Sequence, residues 1–133
     1  MTLASITAKD IMATKVVTLE PDMDVMDAMH TLARHRISGA PVVNTRGSVV
    51  GMLTERDCLR TFVIASYHGE SSCGAVAEYM SHDVRSVEAD TSLLDITELF
   101  VSTKYRRYPV MQDNHMIGIV SRRDVIRAVL RLA

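Results

Sequence analysis

Two short runs in this sequence carry side chains that could do chemistry together. Thr54-Glu55-Arg56-Asp57 and Ser121-Arg122-Arg123-Asp124 each set a hydroxyl three residues ahead of a carboxylate, where an apolar run gives way to a helical pattern. A helix start offers N–H groups without intrahelical partners and a partial positive charge, and both favour a phosphate. The hydroxyl of Thr54 or Ser121 can add a hydrogen bond to that phosphate. The carboxylate of Asp57 or Asp124, one turn in, can accept from both hydroxyls of a ribose, as acidic residues do in dinucleotide-binding folds. The same spacing is also a capping box, in which hydroxyl and carboxylate serve their own backbone. Both uses stay open, and one does not exclude the other.

The two runs belong to a duplication. Ala8-Lys9-Asp10-Ile11-Met12 returns as Val76-Ala77-Glu78-Tyr79-Met80, and Pro41-Val42-Val43 as Pro109-Val110-Met111, both 68 positions on. After a one-residue deletion the offset is 67, and Gly51 to Asp57 returns as Gly118 to Asp124. The deletion falls in the turn at 44–48 or 112–115, where a change of length costs least. Each copy predicts the order β-α-β-β-α. Val16 to Leu19 and Val84 to Val87 are short β-rich runs. The helices that follow bury Val25, Ala28, Met29, Leu32 and Ala33 in one copy and Leu93, Ile96, Thr97, Phe100 and Val101 in the other, with Asp22 and Asp90 as N-caps. A proline-edged hairpin comes next, then closing helices at about 55–67 and 122–132. The fold class is α+β, with repeats at 6–67 and 75–132 joined by a short linker at 68–74. Neither copy is large enough to bury a good core alone, so the pair should pack as one module.

Composition narrows the function classes. Of 133 residues, 47% are hydrophobic and 23% charged, and the formal net charge is −1, so no global basic field draws nucleic acid. A nucleic-acid reading rests only on Lys104 to Arg107 with Arg122 and Arg123, and such binding would fall steeply with salt. No apolar stretch approaches the length of a membrane span, and 1–6 lacks the basic and apolar regions of a signal peptide. Cys58 and Cys73 are too few for a disulfide framework, which points to a reducing, cytoplasmic setting. The five histidines form no metal motif, and no P-loop or G-x-S-x-G elbow occurs. No catalytic constellation is present in the pattern.

Two β-α-β-β-α units, each with an aliphatic-Gly-aliphatic-aliphatic-Thr/Ser-x-Arg-Asp run entering its last helix, resemble the CBS domain family, whose members occur in pairs called Bateman modules. The resemblance covers about 6–132 and rests on Asp10-Ile11-Met12, the Pro41 hairpin and the Thr54 to Asp57 run, each matched in the second copy. It looks like a free-standing CBS pair. The resemblance implies repeats packed through their sheets with pseudo-two-fold symmetry, clefts lined by both, and a disc-like homodimer. It also implies a non-catalytic regulatory module that binds an adenosine-type ligand (AMP, ADP, ATP or S-adenosylmethionine) and signals by conformational or oligomeric change. No cofactor is required.

Carried over residue by residue, the resemblance gives Asp57 and Asp124 the ribose and Thr54 and Ser121 the phosphate. Thr18 and Ser86, at the ends of the first strands, match positions that contact base or ribose. The segment before each hairpin lines the cleft: Ser38 lies there in the first copy, Arg106 and Arg107 in the second. Guanidinium groups pair bidentately with phosphate, so Arg106 and Arg107 suit a di- or triphosphate. Arg123 matches the family run and is also explicable as a surface residue. The alternative reading is a dimeric scaffold without a physiological nucleotide, docking on a regulated enzyme or transporter.

Overall fold

The computed structural model describes residues 5–69 and 74–132. Its elements are α1 (Ala8–Ile11), α2 (Val25–His35), β1 (Gly39–Val43), β2 (Val49–Thr54), α3 (Glu55–His68), α4 (Val76–Tyr79), β3 (Val87–Glu88), α5 (Leu93–Ser102), β4 (Arg107–Gln112), β5 (His115–Ser121) and α6 (Arg122–Leu132). The α+β class stands. Both hairpins and both closing helices fall within a residue or two of where the sequence pattern puts them.

The hairpins show why one copy is a residue shorter. In the first, the Asn44 side chain accepts from Arg46 N and Ser48 N, both at 3.0 Å, and Gly47 takes φ +82° to close the turn. In the second, Asp113 and Asn114 both adopt left-handed backbone, φ 51° and 65°, the two-residue turn that matches strand twist. The strands beyond the turns keep one register, with Gly39 opposite Thr54 and Arg107 opposite Ser121.

Three expectations need correction. The opening strand at 16–19 is only a bridge: Leu19 N donates to Pro41 O and Val43 N to Leu19 O. In the second copy Ala89 N donates onward to Met111 O at 2.9 Å, so Val87–Glu88 qualifies as a parallel strand on β4. The position matching Ala89 is Pro21, which has no N–H, so the first ladder stops one bond short. The helix caps are Asp24, accepting from Met26 N at 2.7 Å, and Ser92, accepting from Asp95 N at 3.1 Å. Asp22 and Asp90 instead sit in turns closed by Met23 N to Glu20 O and Thr91 N to Glu88 O. Ala33 and Val101, expected on the buried stripes, are exposed, because each lies at the trailing edge of its stripe.

The packing units differ from the sequence repeats at 6–67 and 75–132. The segment ending at Val16 packs with the chain from Arg85 onward, and 17–84 forms the other unit. Each copy has therefore given its opening segment to its sibling. Ala8 N donates to Thr91 O, Leu93 N to Ile6 O, and Ala13 and Ile119 exchange both backbone bonds. In the same way Val76 N donates to Met23 O, Ala77 N to Pro21 O, and Ser81 exchanges bonds with Met52. One core gathers around Leu19, Val25, Val42, Leu53 and Val76, the other around Ile6, Leu93, Ile96, Tyr108 and Val120. Of the expected linker, His68 ends α3 and Gly69 caps it at φ 64°, while 70–73 lie outside the described residues.

The exchanged segments pass directly over a hairpin glycine. A Cβ at Gly118 would lie 2.5 Å from Met12 Sδ and 2.7 Å from Ala13 O; at Gly51 it would meet Met80 Sδ at 2.5 Å and Ser81 O at 2.9 Å. A methionine side chain can yield, but a carbonyl held in a paired bridge cannot. Gly118→Ala is expected to destabilise by about 1–3 kcal/mol in urea unfolding, the usual cost of overpacking. A loss below about 0.5 kcal/mol, the range of an ordinary surface change, would contradict the close approach.

Candidate functional site

Each Ser/Thr-x-x-Asp run lies where the second strand of a hairpin hands over to a helix. Thr54 ends β2 in extended conformation (φ −112°, ψ 167°) and caps α3. Asp57 Oδ2 accepts from Thr54 N at 2.9 Å and from Thr54 Oγ1 at 3.0 Å, and Asp57 N donates back to Oγ1 at 3.3 Å. The second copy repeats this at 2.8, 3.0 and 3.3 Å between Ser121 and Asp124. Glu55 N donates to Ser38 O at 2.9 Å and Arg122 N to Arg106 O at 3.1 Å. Three of the four N–H groups that a helix start leaves without intrahelical partners are thus satisfied. The fourth belongs to Arg56 in α3 and to Arg123 in α6.

The capping box is therefore fully formed in both copies. It also orients the carboxylates. Asp57 and Asp124 keep 14% and 17% of their side chains exposed, and the second oxygen, Oδ1, lies 3.7 Å from Arg60 and 3.9 Å from Arg127, too far for a hydrogen bond. A carboxylate has about four acceptor positions, so each can still accept from hydroxyls outside the protein. The hydroxyl is less available, because its single proton already goes to the aspartate.

The structure brings most of the other expected residues to these junctions. Ser38 is half-buried beside the start of α3, tied to it through Glu55. Arg106 is exposed in the equivalent place beside α6, and the half-buried Arg107 opens β4 opposite Ser121. Arg123 is exposed in the first turn of α6. Thr18 and Ser86 are exposed and lie outside the strands. The bridges after them, Leu19 with Val42 and Val87 with Val110, are parallel. Each hydroxyl residue therefore lies toward the end of its sheet where the Ser/Thr-x-x-Asp run begins.

Two features escaped the sequence reading. Thr7-Ala8-Lys9-Asp10 has the same spacing and builds a third box: Asp10 Oδ2 accepts from Thr7 N at 2.9 Å and from Thr7 Oγ1 at 3.1 Å. Its spacing was there to find, but α1 is only four residues long. An aromatic cluster also backs the second junction. The Phe100 and Tyr108 ring centroids lie 5.0 Å apart, those of Tyr105 and Tyr108 5.8 Å, and the Arg85 guanidinium is 5.8 Å from the Tyr105 centroid.

The family model for the CBS domain matches residues 8–64 and again 76–131. The chain belongs to the CBS domain family and carries the domain as a tandem pair. It is 34% identical over 118 residues to the CBS domain-containing protein YhcV of Bacillus subtilis, covering 88% of this chain and 81% of that protein. It is 29% identical to the inosine-5'-monophosphate dehydrogenase of Methanocaldococcus jannaschii over 90% of this chain but 23% of the enzyme. The pair is thus a small part of that longer protein. Among solved structures, CBSX2 of Arabidopsis thaliana in complex with AMP superposes with a TM-score of 0.84 at 28% identity, covering 96% of this chain and 98% of that one. Among the described residues, no helix is long and apolar enough to cross a membrane.

Next to Asp57, Cys58 is buried, as its helical position suggested, whereas Cys73 lies outside the described residues. Burial pushes the Cys58 thiol up from 9.0 to about 11, and the charges of Asp57 and Glu55 add to the effect. Between those values the folded protein keeps a proton that the unfolded chain releases. The contribution is full below pH 9 and is lost as pH rises to 11. Urea midpoints measured across that window should fall less steeply for Cys58→Ala than for the parent protein; equal slopes would place the thiol in water.

Proposed function

We propose that the chain is a non-catalytic regulatory module that takes an adenosine-type ligand at the starts of α3 and α6. The observation that carries this reading is the repetition of one geometry: two half-buried aspartates, each clamped by its own Ser/Thr through one oxygen, with the other oxygen 3.7 or 3.9 Å from an arginine, too far for a hydrogen bond. In this reading Oδ1 of Asp57 or Asp124 accepts from the ribose hydroxyls. A phosphate on that ligand meets the N–H left over from the cap, that of Arg123 at the start of α6, and the positive end of the helix. Thr54 and Ser121 lend their hydroxyls at the cost of part of the cap, and Arg106, Arg107 and Arg123 supply charge to the second junction. Thr18, Ser86 and Ser38 line the approach to base and sugar. The AMP complex of the similar CBSX2 supports the ligand class.

The test is a calorimetric titration of the purified protein with AMP, ATP and S-adenosylmethionine. Binding by at least one is expected, weakened about tenfold or more in Asp57→Asn/Asp124→Asn, as removing hydrogen bonds to a charged group does. No heat and no thermal shift at millimolar ligand would overturn the reading.

A second reading, a dimeric interaction module without a physiological nucleotide, is favoured by exposed apolar stripes. On α3 Leu59, Phe62 and Val63 are 64%, 45% and 55% exposed; on α6 the matching Ile126, Val129 and Leu130 are 57%, 41% and 66% exposed. The same three positions are unpartnered in both copies, which suits self-association of identical faces. A homodimer is compatible with ligand binding and is part of the proposal. Sedimentation should show a dimer that Leu59→Glu/Ile126→Glu converts to monomer; a monomeric parent protein would reject it.

A further inference from the structure

The two junctions share a backbone but not a charge. Around the start of α6 stand Arg106, Arg107, Arg122 and Arg123 against one carboxylate, Asp124. The matching positions around α3 are Ser38, Gly39, Glu55 and Arg56, with Asp57: one arginine against two carboxylates, while Arg60 and Arg127, beside Asp57 and Asp124, add one positive charge to each junction alike. These positions are held together. Arg106 O accepts from Arg122 N and Ser38 O from Glu55 N, while Arg107 pairs with Ser121 and Gly39 with Thr54. Glu55, exposed in the first turn of α3, supplies the negative charge that this helix end favours. It thereby fills the electrostatic role of a bound phosphate and repels a second anion. Arg122, at the same place in α6, adds positive charge there and leaves Asp124 as the acidic residue of that first turn.

Resting on the proposed nucleotide reading, we infer that phosphorylated ligands bind only at the start of α6, and that the α3 junction rejects phosphate. Arg106, Arg122 and Glu55 are the specificity-determining residues. A ligand with a di- or triphosphate gains most at α6, since guanidinium groups form charge-assisted bonds with phosphate oxygens. An uncharged nucleoside gains nothing from those arginines and loses nothing to Glu55.

The experiment exchanges the charges within the whole protein and titrates each variant with ATP, AMP and adenosine. Arg106→Ser/Arg122→Glu gives the α6 junction the residues of α3; Ser38→Arg/Glu55→Arg does the reverse. The parent protein should bind one ATP per chain. The first variant should lower the ratio of ATP to adenosine affinity about tenfold or more, and the second should raise ATP stoichiometry from one to two. Two equivalent ATP sites in the parent, or an affinity ratio unmoved by either exchange, would overturn the charge assignment and leave the nucleotide reading standing. Failure of every nucleotide and of adenosine to bind would overturn both. The substituted side chains are exposed or half-buried, and the reciprocal variant decides the matter if the first does not fold.

Discussion

A helix that begins directly at the end of a strand must find partners for its first N–H groups within a few residues, because each one left unpaired away from water costs free energy. In both copies here a Ser/Thr and an Asp three residues on provide them, with a carbonyl from the segment before the hairpin satisfying one more. Everything at the candidate site follows from this closure. It holds the aspartate in a single orientation before any ligand arrives, with one oxygen engaged by the Ser/Thr and the other on the side of Arg60 or Arg127. It also limits what a ligand can use to that second oxygen, one remaining N–H and the field of the helix. A pre-formed carboxylate of this kind lowers the ordering cost of binding a sugar diol.

The junctions are steadied from outside by the exchange of opening segments. α1 packs against β5 and α6, and α4 against β2 and α3, so each strand-to-helix corner is braced by a turn of helix from the other copy. The brace fits because Gly51 and Gly118 leave room for a carbonyl and a methionine side chain above the hairpin. Neither repeat, cut at its sequence boundaries, would retain its own brace.

Much of this was legible in the residues. Tandem spacing revealed the duplication, and the glycine-to-aspartate run placed the junctions, because hairpins and amphipathic helices leave strong periodic signals. What escaped reading depends on single atoms or on the partner segment. Pro21 shortens a ladder by one missing N–H. Asp24 and Ser92 cap their helices because the turns before them run two residues further than the acidic residues suggested. The exchange of 5–16 and 74–84 was invisible, since a duplicated sequence looks the same whether its halves pack on themselves or on each other. The charge contrast between Glu55 and Arg122 lay in plain view, but it acquired meaning only once both were seen tied to Ser38 and Arg106.

The most direct measurement follows the backbone amide resonances of Thr54 to Asp57 and of Ser121 to Asp124 as AMP is added to isotope-labelled protein. The account predicts large, saturable shifts at Ser121 to Asp124, with Arg123 prominent because its N–H is the one left over from the cap. Saturable shifts confined to other parts of the chain, with both junctions silent, would contradict it.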